Sequence, residues 1–263
     1  MKKENKSVII DIHCHLIPSF HTARGRIKIM DKFHIDKTVV FPSAGGLLRL
    51  NDFVGANNFI IEATKEFPQR LIGFCIVNPL YKNEALNEVE RCINQGLHGI
   101  KLLPTAQGWD TDYGFYTIDN PIMNPLVEKA IELDIPILIH TDFNAKVCTP
   151  YQLVSLACRY PKAKLIMGHM GIDPEMIRFV PNMVKDLENI YLDISTTPDM
   201  PELVITKPVK ILGSHRILFG SDGPELHPIF SLKKIEVAEI SEESKRNILG
   251  NNAQRLLNLD PEN

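Results

Sequence analysis

Eight short apolar runs recur along this chain, and between them lie stretches that carry charges at helical spacing. The runs are VIIDI (8–12), TVVF (38–41), LIGFCIV (71–77), GIKLL (99–103), IPILIH (135–140), KLIMGH (164–169), IYLDIS (190–195) and RILFGSD (216–222). They begin about 25 to 40 residues apart, the repeat expected of strand–helix units joined by right-handed crossovers. Strands that read as near-continuous apolar runs belong to a parallel sheet covered by helices on its outer face. Eight such units in 263 residues predict an α/β protein built as a (β/α)₈ TIM barrel. No Pro/Gly/Ser linker or change in composition divides the chain, so residues 1–263 read as one domain.

Charge excludes several partners. The formal net charge is −3 at pH 7, and no long basic or acidic run breaks the balance locally, so nothing steers a nucleic-acid backbone or an anionic membrane to this chain. No stretch approaches the ~18 to 20 uninterrupted apolar residues of a membrane span. The basic start, MKKENKS, is followed by an apolar run broken by Asp11, His13 and His15, which is no secretory core. Five cysteines without CxxC spacing do not form a disulfide framework and point to a reducing cytoplasm. The expected partner is a small-molecule substrate, and self-association is left open.

The polar residues fall where a barrel concentrates chemistry. His13 and His15 follow the first run at i and i+2, so an extended backbone turns both imidazoles to one face. His140 closes the fifth run, His169 the sixth and Asp222 the eighth. In a parallel barrel all strands open on the same mouth, and strand eight lies beside strand one, so these five residues are expected to converge. Taken singly, a strand-end histidine is more often a structural hydrogen-bonding residue. Four with an aspartate at one mouth reverse that reading. Neutral imidazoles and a carboxylate suit zinc or another first-row divalent ion with a coordination position open to water.

At these residues the sequence resembles the amidohydrolase superfamily, most closely its amidohydrolase-2 branch, which includes aminocarboxymuconate-semialdehyde and resorcylate decarboxylases and several hydrolases. DIHCH, His140, His169, the FGSD around Asp222 and the terminal ILGNNAQRLLNL carry the likeness, which runs from residue 8 to about 259. It implies a barrel of the metallo-dependent hydrolase type. It also implies one divalent transition metal per chain, zinc before manganese, iron or cobalt, held by His13, His15, His140 and Asp222. His169 would orient or deprotonate the bound water, and Asp222 would shuttle a proton. The expected reaction is hydrolysis of a small-molecule amide, lactone or ester. Non-oxidative decarboxylation of a small unsaturated or aromatic acid uses the same ligands and is the alternative. A non-catalytic binding barrel would not need the whole set, and no GxGxxG follows the first run to suggest a dinucleotide enzyme.

Lys101 lies inside the fourth run, where a buried ammonium needs a partner. An ion pair, an anchor for a substrate oxygen, and a carbamylated bridge between two metals are its three readings; the first two are preferred. Arg24, Arg26, Trp109 and Phe143 are pocket candidates by loop position, with surface packing the preferred reading for each. His34, His98 and His215 fall away from the active mouth, and His21 and His227 are expected to face solvent.

Overall fold

The computed structural model describes residues 8–43, 50–104 and 116–259, with side chains described from residue 53 in the second segment. Eight strands, β1 (Ile10–Leu16), β2 (Lys37–Pro42), β3 (Leu71–Ile76), β4 (Gly99–Leu102), β5 (Pro136–His140), β6 (Lys164–Gly168), β7 (Ile190–Asp193) and β8 (Ile217–Leu218), pair in sequence order, all in parallel. The ring is closed by bonds between the two ends of the sheet. Ile12 N–H donates to Phe219 O at 2.9 Å, Asp222 N–H to His13 O at 2.8 Å and His15 N–H to Gly223 O, with Cys14 and Gly223 forming a parallel bridge.

A bulge in β1 decides what faces inward. Asp11 pairs with Thr38 but Cys14 pairs with Val40, so β1 spends one more residue than β2 over that interval and the alternation of faces changes parity. Ile10 and Ile12 pack in the barrel interior with Val39, Phe41, Phe74, Leu138, Ile166 and Leu218. Beyond the bulge His13 and His15 face the same interior, their rings 5.1 and 4.7 Å from that of Phe41. Asp11 is left on the outer face, against the first helix.

The covering helices are α1 (Ala23–Phe33), α2 (Leu50–Glu66), α3 (Lys82–Asn94), α4 (Asn124–Glu132), α5 (Pro150–Arg159), α6 (Pro174–Met183), α7 (Lys207–Leu212) and α8 (Ile229–Val237), followed by α9 (Glu242–Arg246) and α10 (Asn252–Leu256). Their starts are legible as capping chemistry. Thr149 and Gln152 form a reciprocal capping box at α5, Asp173 caps α6 and Thr22 caps α1. A large apolar cluster fills the space between strands and helices. At the opposite mouth Ala253, Leu256 and Leu257 cover the interior residues. Gly250 permits this closure, because a Cβ there would lie 2.1 Å from Val8 O.

Several boundaries differ from expectation. β1 runs on through both histidines, past the end of the first apolar run at residue 12, so the connection to α1 is only residues 17–22. β8 is only two residues long, and Asp222 lies in the turn beyond it with φ 61°. The terminal segment from Glu242 to Leu256 is one continuous helical run whose middle, Asn247–Asn251, winds as a wider π-type stretch. Among the described residues no helix is long and apolar enough to cross a membrane.

Candidate metal and acid–base site

At the C-terminal mouth, each imidazole of the β1 pair has its Nδ1 bonded to an acceptor. His13 Nδ1 lies 2.6 Å from Asp193 Oδ2, and His15 Nδ1 lies 3.3 Å from the Pro42 carbonyl. Both partners are acceptors, so both Nδ1 atoms carry the proton and both Nε2 atoms present lone pairs. Those lone pairs face one oxygen: Asp222 Oδ1 is 3.3 Å from His13 Nε2 and 3.4 Å from His15 Nε2. The other Asp222 oxygen accepts from the Thr196 hydroxyl. Three lone-pair donors facing one another repel unless a cation or a proton lies among them. His13, His15 and Asp222 thus form a group able to hold a metal ion, with the carboxylate-backed imidazole commonly found behind metal ligands.

His169 and His140 extend the cluster. The His169 ring is 4.6 Å from that of His13 and 4.8 Å from that of His140. His169 opens a tight turn after β6 in which His169, Met170, Gly171 and Ile172 all have positive φ, a strained backbone of the kind that concentrates at functional sites. His140 is partly exposed at the end of β5, and its ligand atoms do not join the His13–His15–Asp222 group. A second group of close ligand atoms, His13, His169 and Asp193, is already knit together by Ser195. Its hydroxyl lies 2.6 Å from Asp193 Oδ2, 2.9 Å from His169 Nδ1 and 3.2 Å from His13 Nδ1.

Lys101 enters from β4, fully buried. Its Nζ is 3.1 Å from His13 Nε2 and 4.9 Å from the centre of the Phe41 ring. Lys101 and a metal ion would therefore compete for the same His13 lone pair. Burial pushes this ammonium down to about 8, against the pull of Asp222 and Asp193. Burial also lowers His13 and His140 far below the usual imidazole range, with Lys101 next for His13 and His169 next for His140. His169 is lowered to about 3 by burial and then by His13. These imidazoles are neutral at pH 7, the state that ligates metal or accepts a proton.

The remaining candidates scatter. Arg24 has a side chain 79% exposed and paired with Glu66, 2.6 Å away, outside the cluster. Phe143 is 41% exposed in the loop after β5. Trp109 lies outside the described residues. Arg26, expected at the surface, is fully buried and donates to Asp11 and to Thr38 Oγ1, because the β1 bulge leaves a carboxylate under α1 that needs a countercharge. His21 is also a correction: it is only 6% exposed, with Nε2 3.6 Å from Cys14 Sγ, because the antiparallel Ile17–His21 bridge folds the loop back. His227 is exposed, edge-on to Phe33.

Sequence reasoning missed Asp193, Ser195 and Thr196. The strand-end rule applied to the seventh run, IYLDIS, would have selected the first two. Gly220 has no such signal. A Cβ there would fall 2.1 Å from Asp193 Oδ1 and 3.1 Å from His13 Cβ, so this glycine lets the end of β8 approach the site.

A family profile described as amidohydrolase matches residues 10–259. A gamma-resorcylate decarboxylase of Polaromonas sp. strain JS666 is 24% identical over 284 residues, covering 89% of this chain and 87% of that protein. A 2-amino-3-carboxymuconate-6-semialdehyde decarboxylase of Dictyostelium discoideum is 25% identical over 249 residues, covering 78% of this chain and 66% of that one. Among solved structures, a dihydroxybenzoic acid decarboxylase of Polaromonas sp. JS666 with bound manganese and the inhibitor 2-nitroresorcinol superposes with a TM-score of 0.78 at 20% identity, covering 97% of this chain and 98% of that chain.

Proposed function

The chain belongs to the amidohydrolase family, and from that premise we propose that it is a metal-dependent enzyme that releases CO2, without oxidation, from a small unsaturated or aromatic carboxylic acid. The observation that carries this reading is Lys101. Its ammonium is fully buried beside the ligand cluster, and its hydrogen bond among the described residues runs to an imidazole rather than to a carboxylate. Asp222 and Asp193 pull on it, but among the described residues it has no direct ion pair, and an acidic substrate would supply one. The relatives named above, decarboxylases of resorcylate and of a carboxymuconate semialdehyde, act on acids of that class.

The donor set of His13, His15 and Asp222 fits one divalent ion, and His140, outside that close group, would have to move toward the ion to join it; zinc and manganese both suit the set, and a structural neighbour holds manganese. Such an ion, when bound, acts as a Lewis acid toward a carboxylate or an adjacent oxygen. The residues of the chain do the rest. Lys101 orients the acid. Loss of CO2 requires a proton at the carbon that loses it, and His169, with Nδ1 bonded and no hydrogen bond to Nε2 among the described residues, is placed to hold and deliver that proton. Asp222 accepts and returns a proton. The five free cysteines suit a reducing compartment, taken to be the cytoplasm.

Hydrolysis of an amide, ester or lactone is the second reading, supported by the same ligand group, whose ion would activate a water when bound. The two are separated by incubating metal-loaded protein with hydroxybenzoates, unsaturated dicarboxylates, lactones and amides, and measuring CO2 and product mass. Release of CO2 is expected. Gain of water without CO2 would overturn the decarboxylase reading.

A further inference from the structure

The end of β7 and the turn that follows it touch three groups of the cluster, His13, His169 and Asp222. Asp193 accepts from His13, Thr196 donates to Asp222, and Ser195 lies against His169. This turn is itself fixed. Thr196 has a φ of 51°, and the buried ammonium of Lys234, from α8, donates to the carbonyl and hydroxyl of Thr197, both at 2.8 Å. Ser195 N–H donates to Asp193 Oδ1 at 2.9 Å.

The hydrogen bonds through Ser195 have one consistent direction. Its hydroxyl has a single proton, and the shortest acceptor is the Asp193 carboxylate at 2.6 Å. With that proton committed, Ser195 Oγ can only accept from His169 Nδ1 at 2.9 Å, so His169 carries its proton on Nδ1 and its lone pair on Nε2. The same Asp193 oxygen accepts from His13 Nδ1. We propose that Ser195 is a positioning residue that joins His169 to Asp193, so that one carboxylate orients both the metal-ligating His13 and the acid–base His169. The proposal rests on the roles given to those two histidines in the proposed function.

The arrangement has a chemical consequence. When His169 Nε2 takes a proton, the imidazolium is linked through one hydroxyl to a buried carboxylate, as a triad aspartate stabilises and orients its histidine. The Ser195 carbonyl, 3.2 Å from His169 Nδ1, gives the ring a second acceptor. Removing the hydroxyl therefore breaks the link to Asp193 without stranding the Nδ1 proton.

Zinc-loaded protein labelled with 15N-histidine tests this directly, with the His169 signals assigned by His169→Gln. In the native protein His169 is expected as the Nδ1–H tautomer with a downfield Nδ1 proton. Ser195→Ala should move that proton upfield while leaving the metal content unchanged, and Ser195→Thr should restore it. Asp193→Asn should shift the His13 and His169 signals together. With a substrate in hand, Ser195→Ala should lower kcat by about 10- to 100-fold with little change in KM. An Nε2–H tautomer in the native protein, a His169 signal unmoved in Ser195→Ala, or an Asp193→Asn effect confined to His13 would each overturn the relay. These spectra decide it whether or not any acid is decarboxylated, so failure of the functional reading is seen separately in the substrate screen.

Discussion

Asp11 and Ser221, 210 positions apart in the chain, are tied through one oxygen: Asp11 Oδ1 accepts the Ser221 N–H at 2.9 Å and also the His13 N–H at 3.1 Å. Each bond ends next to a candidate ligand, His13 on one side and Asp222 on the other. The second Asp11 oxygen takes the buried guanidinium of Arg26. The pair holds the seam between β1 and β8, on which the ligand geometry depends. Arg26→Met leaves a buried carboxylate without its countercharge, and the expected loss of stability is about 3 to 5 kcal/mol. Urea denaturation of metal-free protein measures it, and a loss below about 1 kcal/mol would show that the two backbone donors suffice for Asp11.

Purified protein is expected to carry about one divalent transition metal per chain, removable by a chelator with loss of activity. His15→Ala and Asp222→Asn each delete a member of the close ligand group and should lose the metal. Metal analysis after growth in zinc or manganese checks both the native stoichiometry and the variants. No occupancy, with activity indifferent to chelation, counts against the assignment.

His140 and His169 are adjacent, and their variants should behave differently. His140→Ala should weaken metal binding. His169→Ala should keep its metal yet lose about 10² to 10⁴ in kcat, or roughly 3 to 5.5 kcal/mol in the barrier. Equal metal loss in both would mean that His169 is a ligand rather than an acid–base group.

Lys101 shares the His13 Nε2 lone pair with any bound cation, so its charge opposes metal binding while attracting an acidic substrate. Lys101→Met should therefore tighten metal affinity by about 10-fold or more, about 1.4 kcal/mol, and raise KM for a carboxylic acid. A fall in metal affinity, together with the added mass of a carbamate on native Lys101, would instead show a bridging ligand and a binuclear site.

Acid should destabilise the metal-free protein before its carboxylates titrate. His169 and His21 have folded values of about 3 and about 4, lowered by burial from an unfolded value near 6.5, and His13 and His140 are lowered too. Below the unfolded value the unfolded chain takes up protons that the folded chain refuses, so stability is greatest above about pH 6.5 and falls as pH drops through 6 and 5. Each such histidine contributes about 1.4 kcal/mol per pH unit in that window. Chemical denaturation at pH 7, 6 and 5 reads the slope; a flat profile would mean that these imidazoles accept protons in the folded state.

Periodicity and strand-end position, both local, made much of this protein legible in its sequence. Eight apolar runs separated by helical segments specify a parallel barrel, because βα units of one hand have few other ways to bury both faces of a sheet. The rule that strand ends meet at one mouth selected His13, His15, His140, His169 and Asp222 without any contact being known. What the sequence left open depended on register and on groups brought together across the ring. A single bulge in β1 changes which side chains face inward, and no periodic pattern announces it; it placed Asp11 and Arg26 in a buried pair and put the two histidines over Phe41. The tautomers of His13 and His169 were set by Asp193 and Ser195, some 180 and 26 positions away, and the closeness of Lys101 to His13 by the meeting of β4 with β1 across the barrel. Such relationships are decided only by tertiary structure, since hydrogen bonds and charge effects act over a few ångströms of space and are indifferent to distance along the chain.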